Sequence, residues 1–125
     1  MKLSNVTEFG IFLRKLRHDN NELLEDMSKK LNVATSYLSM VETGKRNIPK
    51  KWQNIIVEKY NLSNDEMENL KIAILHSKKE IKIDTTDLEK DEKELLFYFV
   101  KRFKNLDKQD KEEIKFILKK QIQKN

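Results

Sequence analysis

The stretch Leu24–Thr43, LEDMSKKLNVATSYLSMVET, decides the fold. Its apolar residues recur at helical spacing on both sides of Asn32, which predicts two short helices, about Glu22 to Leu31 and about Thr35 to Thr43, joined by a tight turn. Two helices crossing through such a turn need a small residue where they touch, and Ser28 stands there. The turn needs a residue that accepts a positive φ, and Asn32, the best type after glycine, stands there. Met27, Leu31, Val33, Leu38 and Val41 supply the apolar contacts that lock the pair. A random amphipathic hairpin rarely fills all of these positions. Gly44 is a good stop for the second helix.

Working outward, a helix is expected from about Val6 to His18, with Asn5 and Glu8 at capping-box spacing and Phe9, Phe12, Leu13 and Leu16 on the buried face. The Asn20-Asn21 pair supplies the break and the next cap, and Leu23, Leu24, Met27 and Leu31 are the apolar residues of the second helix. After the loop Lys45-Arg46-Asn47-Ile48, Pro49 suits the first turn of a helix running to about Tyr60, with Trp52, Ile55, Ile56 and Tyr60 on one face. Ser63 and Glu66 form a second capping box, opening a fifth helix with Met67, Leu70, Ile74 and Leu75 inside. Residues 1–79 thus form one five-helix domain. In the linker 80–87, Ile81 and Ile83 alternate with polar residues, as in a short strand or an extended segment. Thr86 with Glu89 caps a sixth helix, about Asp87 to Asn105, and Asp107 or Asp110 opens a seventh, ending near Gln123. Leu95, Leu96, Phe99, Val100, Phe103 and Leu106, widened by Phe97 and Tyr98, face Ile114, Ile117, Leu118 and Ile122 in an expected antiparallel hairpin over 88–125. Such a hairpin buries little alone and needs a partner: its own domain, another protein or, preferred here, a second subunit.

Composition narrows the chemistry. Two glycines and one proline among 125 residues, with 38% charged and 38% hydrophobic, favour an all-α protein with a small core. No cysteine is present, so disulfides and thiolate metal sites are excluded. His18 and His76 lack ligand-like neighbours, so no metal or other cofactor is expected. No glycine-rich phosphate loop, nucleophile elbow or paired-carboxylate pattern occurs, and an enzyme is not expected. No signal peptide and no run of about 20 apolar residues is visible, so a cytoplasmic chain with no membrane association is the expectation. The net charge of +5 is concentrated early: up to Lys79 there are 14 Lys/Arg against 10 Asp/Glu, and beyond it 12 against 11. Lys45, Arg46, Lys50 and Lys51 form the cluster.

The polar side of the helix at 35–43 carries Thr35, Ser36, Ser39, Met40 and Thr43. Hydroxyls there can exchange hydrogen bonds with base edges, and Met40 or a Thr methyl can touch a thymine methyl. Thr43, Lys45 and Arg46 follow where a loop can meet phosphates, with Lys50 and Lys51 extending that contact. FLRKLR followed by MSKKLNVATSYLSMVETGKRNIP, with Ser39, Glu42, Gly44, Lys45 and Arg46 as its most specific part, resembles the Cro/phage-repressor (XRE) helix-turn-helix domain over about residues 6–75. The resemblance implies a lambda-repressor-like domain, binding to double-stranded DNA as a homodimer on a palindromic operator, and transcriptional repression. It implies too that Arg17 and Glu42 form a structural ion pair. Two positions depart from the family: Leu23 and Leu24 replace a polar cap and Gln that grip phosphate, beside the acidic Glu22, Glu25 and Asp26, and Ser28 replaces Ala. The competing expectation is an antitoxin or phage-type accessory protein whose C-terminal helices bind a protein partner while DNA binding serves autoregulation. A ligand-responsive sensor would need a C-terminal pocket that the sequence does not reveal.

Overall fold

Four helix ends in the first part of the chain close in the same way. After each, one residue takes the left-handed conformation: Asn21 (φ 54°), Asn32 (φ 57°), Gly44 (φ 78°) and Asn61 (φ 48°). The next residue's N–H then donates to the carbonyl five positions back: Glu22 to Arg17 (2.8 Å), Val33 to Ser28 (2.9 Å), Lys45 to Met40 (2.8 Å) and Leu62 to Val57 (3.1 Å). This is the closure that satisfies carbonyls left over at a helix end. In a chain so poor in glycine, asparagine performs it three times out of four.

A computed structural model of the protein describes residues 5–123, with side chains to Lys120. The described residues are all-α, in seven helices: α1 Glu8–Asp19, α2 Leu24–Leu31, α3 Thr35–Glu42, α4 Trp52–Lys59, α5 Asn64–Ser77, α6 Lys90–Arg102 and α7 Lys108–Gln123, with a 3-10 turn at Phe103–Asn105. The chain divides into two compact units that meet at Ile81 and Lys82, inside the expected linker.

In the first unit α1 packs on α5 and α3, α2 on α3 and α4, and α4 on α5. Phe9, Leu13 and Leu16 of α1, Met27 and Leu31, Leu38 and Val41, Trp52 and Ile56, and Leu70 and Ile74 share one core. Trp52 lies at its centre, its ring 6.3 Å from Phe9 and edge-on to Tyr37 at 6.0 Å. Ser28 is buried where α2 meets α3, and its hydroxyl donates to the Glu25 carbonyl at 2.8 Å, so the polar atom is satisfied within its own helix.

Several local expectations are corrected. Thr7, not Asn5, caps α1: its hydroxyl accepts from the Gly10 N–H at 3.0 Å and donates to the Glu42 carbonyl at 3.0 Å. Asn20 ends α1, and the cap of α2 comes from Asp26, whose carboxylate accepts the Leu23 N–H at 2.8 Å. Leu23 is not core; it is 72% exposed. Pro49 precedes α4 rather than entering it, and its carbonyl accepts the Trp52 N–H. Leu75 faces out, and Ala73 takes the inner place. The Ser63–Glu66 capping box is present, and the Ser63 N–H holds the exposed Glu66 carboxyl below the usual carboxylate range.

In the second unit, residues before α6 are extended, with no strand among the described residues. Thr86 closes a turn on Asp84, whose carboxylate accepts from both the Thr86 hydroxyl and N–H, and Glu89 with Glu92 caps α6 three residues later than expected. Asp107 caps α7. The expected hairpin does not form as a packed pair: α6 and α7 do not lie face to face, and no described side chain of either is buried. The side chain of Ile122 lies outside the described residues.

Candidate nucleic-acid interface

The local folding of α3 separates its faces. At about 100° per residue, Leu38, Val41 and Glu42 turn inward, while Thr35, Ser36, Ser39, Met40 and Thr43 share an outward arc of about 140°. Thr35, Ser36 and Ser39 are exposed and Met40 is half-buried. The cap residue, Ala34, offers no side-chain acceptor, so the first amides of α3 point outward unpaired by a cap.

Glu42 is the anchor of this helix. Its carboxylate accepts from both terminal nitrogens of Arg17, one at 3.2 Å and one closer, and from Nε of Arg14 at 3.4 Å. Arg17 is 8% exposed and Glu42 1%. Arg17 also reaches the Met27 sulfur at 3.2 Å, so one guanidinium ties α1, α2 and α3 together. The backbone of the same glutamate carries a second tie: its carbonyl accepts the Thr7 N–H at 2.9 Å as well as the Thr7 hydroxyl. A Cβ on Gly10 would lie 2.3 Å from that carbonyl oxygen, so the approach of α3 to α1 requires glycine there. Arg14 was missed in the sequence reading; its spacing of three from Arg17 puts both on one face of α1, which is the signal that could have found it.

The loop after α3 presents its cations outward. Gly44 turns the chain, the Lys45 and Arg46 N–H groups both donate to the Met40 carbonyl, and both side chains are exposed. Lys50 and Lys51 are exposed just before α4. Thr43 differs from its neighbours: its hydroxyl donates to the Ser39 and Met40 carbonyls at 3.0 and 3.3 Å, which commits its proton to the helix end and leaves its oxygen as an acceptor. A phosphate oxygen needs a donor, so Lys45 and Arg46 are the better phosphate partners of this loop.

Glu22 turns out to be inward and neutralised. Lys30 Nζ lies 2.5 Å from its carboxylate, and the Tyr60 hydroxyl donates to it at 2.6 Å. Lys30 also sits over the Tyr60 ring, 4.3 Å from its centre. Burial, and then the Glu22 carboxylate, hold the Tyr60 phenol far above its ordinary range. Of the acidic residues before and in α2, Glu22 therefore presents no free negative charge to an approaching anion, while Glu25 and Asp26 stay exposed. His18 and His76 are exposed and lie on α1 and α5. Among the described residues no group of His, Asp and Glu gathers as metal ligands do, and no helix is long and apolar enough to cross a membrane. Comparison with protein-family models, curated proteins and solved structures returned no match.

Proposed function

We propose that the first unit is a lambda-repressor-like helix-turn-helix domain of the Cro/phage-repressor type, and that the protein is a sequence-specific transcriptional regulator, most simply a repressor, acting on DNA in the cytoplasm. The observation that carries this reading is the outward polar arc of α3, with exposed cations in the loop at its end. In this reading α3 enters the major groove. Thr35, Ser36 and Ser39 exchange hydrogen bonds with base edges, and Met40 contacts thymine methyls. Lys45 and Arg46, joined by Lys50 and Lys51, hold phosphates and set the register. The Arg17–Glu42 pair fixes the angle at which α3 is presented. The arc has no Arg, Asn or Gln, so discrimination rests on single hydroxyl contacts and DNA shape rather than on bidentate base pairs. No catalytic role belongs to this reading.

The test is selection of bound sequences from random DNA at defined salt, since phosphate-driven affinity has no meaning without it. A recovered motif, lost on Ser39→Ala with Met40→Ala, is the expected result. If no motif emerges, and Lys45→Ala with Arg46→Ala leaves binding unchanged, the reading fails. The apolar side chains that α6 and α7 leave exposed favour a second reading, an antitoxin or accessory protein that captures another protein and regulates its own promoter.

A further inference from the structure

We propose that α6 and the end of α7 are a contact surface for an anionic lipid bilayer, with their apolar side chains in the headgroup layer and their lysines at the lipid phosphates. Six apolar residues stand in succession in α6: Leu95, Leu96, Phe97, Tyr98, Phe99 and Val100. At about 100° per residue they surround the helix with no gap wider than about 100°. None of them is buried, and Leu95, Phe97 and Val100 are 73%, 58% and 64% exposed. Phe116, Ile117 and Leu118 of α7 are exposed as well. Apolar exposure on this scale marks a contact surface rather than ordinary scattered residues. Its shape and chemistry narrow the occupant. A helix laid alongside α6 covers a stripe about 100° wide and leaves the remaining side chains in water. Nucleic-acid bases stack on rings, yet they offer nothing to Leu95, Val100, Ile117 and Leu118. A fluid layer of headgroups and acyl chains moulds to all of them.

The charges give the lipid its sign. In residues 82–94 six carboxylates stand against three lysines. In residues 95–106 there are Lys101, Arg102 and Lys104 and no carboxylate, and in residues 114–120 there are Lys115, Lys119 and Lys120 and no carboxylate. Even with the acidic stretch between them, residues 95–120 hold eight Lys/Arg against four Asp/Glu. The exposed apolar side chains and the excess cations thus share the same two segments. Three lysines lie close to exposed rings: Lys101 Nζ is 5.5 Å from the centre of Phe97, Lys111 Nζ 4.9 Å from that of Phe103 and Lys120 Nζ 5.9 Å from that of Phe116. A lysine stem laid along an apolar surface stays with it while the ammonium reaches a headgroup phosphate. A helix lying in the headgroup layer needs no run of about 20 apolar residues. The absence of a spanning helix, on which the expectation of no membrane association rested, therefore does not bear on it. The contact is independent of whether α3 reads DNA.

Flotation of the full chain with lipid vesicles, without DNA and at about 0.1 M salt, tests this. Vesicles of phosphatidylglycerol with phosphatidylcholine should carry the protein, and vesicles of phosphatidylcholine alone should carry about 10-fold less or fewer still. Phe97→Ser with Val100→Ser changes only exposed positions and leaves every charge in place. That variant should keep its helical circular dichroism and bind the anionic vesicles about 10-fold more weakly. Its loss separates α6 from the cations after α3, which any anionic surface attracts. Lys101→Glu, Arg102→Glu and Lys104→Glu together should abolish the preference for phosphatidylglycerol. Tyr98→Trp should shift its emission to the blue on anionic vesicles, against the constant signal of Trp52, which is fully buried. No flotation, equal flotation with both kinds of vesicle, or flotation unchanged in Phe97→Ser with Val100→Ser overturns the proposal. So does a chain that ignores vesicles and binds a single-stranded oligonucleotide through the same two residues.

Discussion

Single residues carry more than their share of this structure, and Glu42 carries the most. Removing it leaves Arg17 buried without its partner, and breaking one side of a buried pair costs about 3–5 kcal/mol. Glu42→Ala should therefore lower the urea midpoint steeply, whereas Arg17→Met with Glu42→Leu, which removes both charges and keeps volume, should recover most of the loss. If the double variant is no more stable than Glu42→Ala, the cost lies in packing rather than in the unpaired charge. Tyr60 makes a prediction about pH. Its folded pKa is raised, so its contribution is complete below the unfolded value of about 10 and fades as pH rises past it, because the unfolded chain ionises first. Thermal midpoints measured from about pH 9 to 12 should fall for the parent, and the fall should be shallower in Tyr60→Phe. The pair Arg17 and Glu42 came from a family resemblance, not from spacing. The contact of Tyr60 with Glu22 was not legible, since a pairing across 38 residues leaves no local pattern, whereas Arg14 stands on the same face of α1 as Arg17.

At the level of helices, the sequence showed where they end better than where they begin. Ends are local: an asparagine or glycine that can turn left-handed is visible in the chain, and Asn32 and Gly44 were read correctly on that ground. Asn61 closes α4 in the same left-handed conformation and carries the same signal in the chain. Beginnings are contested by tertiary partners. Thr7 wins over Asn5 because its hydroxyl finds the Glu42 carbonyl, 35 residues away, while also capping its own helix. The left-handed turn makes a clean test. Asn32→Ala should cost about 1–2 kcal/mol, and Asn32→Gly should cost little or nothing. Gly10 tests the docking of α3 on α1 from the other side. Gly10→Ala favours the helix by propensity, yet its methyl meets backbone at Glu42, so the variant should lose about 1–3 kcal/mol rather than gain. Were Gly10→Ala as stable as the parent in chemical denaturation, the close approach of the two helices would be wrong.

The two units of the whole molecule obey different rules. The first has a core shared by all five of its helices, and the sequence pattern exposed that core because each helix buries one stripe. The second has stripes without a core, and the same pattern suggested a hairpin that the two helices do not make. Amphipathicity says that a face wants cover; it does not say by what. The exposed cations that follow α3 belong to the first unit, and binding of DNA should follow them. Each phosphate contact contributes about 0.9 to the slope of log affinity against log salt. Lys45→Ala with Arg46→Ala should flatten that slope by about 2 on any DNA, because phosphates carry no sequence. Ser39→Ala should leave the slope alone and reduce preference for the selected motif, since a hydroxyl on the outward arc of α3 neutralises no phosphate. Titrations of both variants at several salt concentrations, on selected and scrambled duplexes, separate the two kinds of contact. Should Lys45→Ala with Arg46→Ala change sequence preference and spare the slope, the loop would read bases and α3 would not, and the orientation proposed for the domain on DNA would have to be reversed.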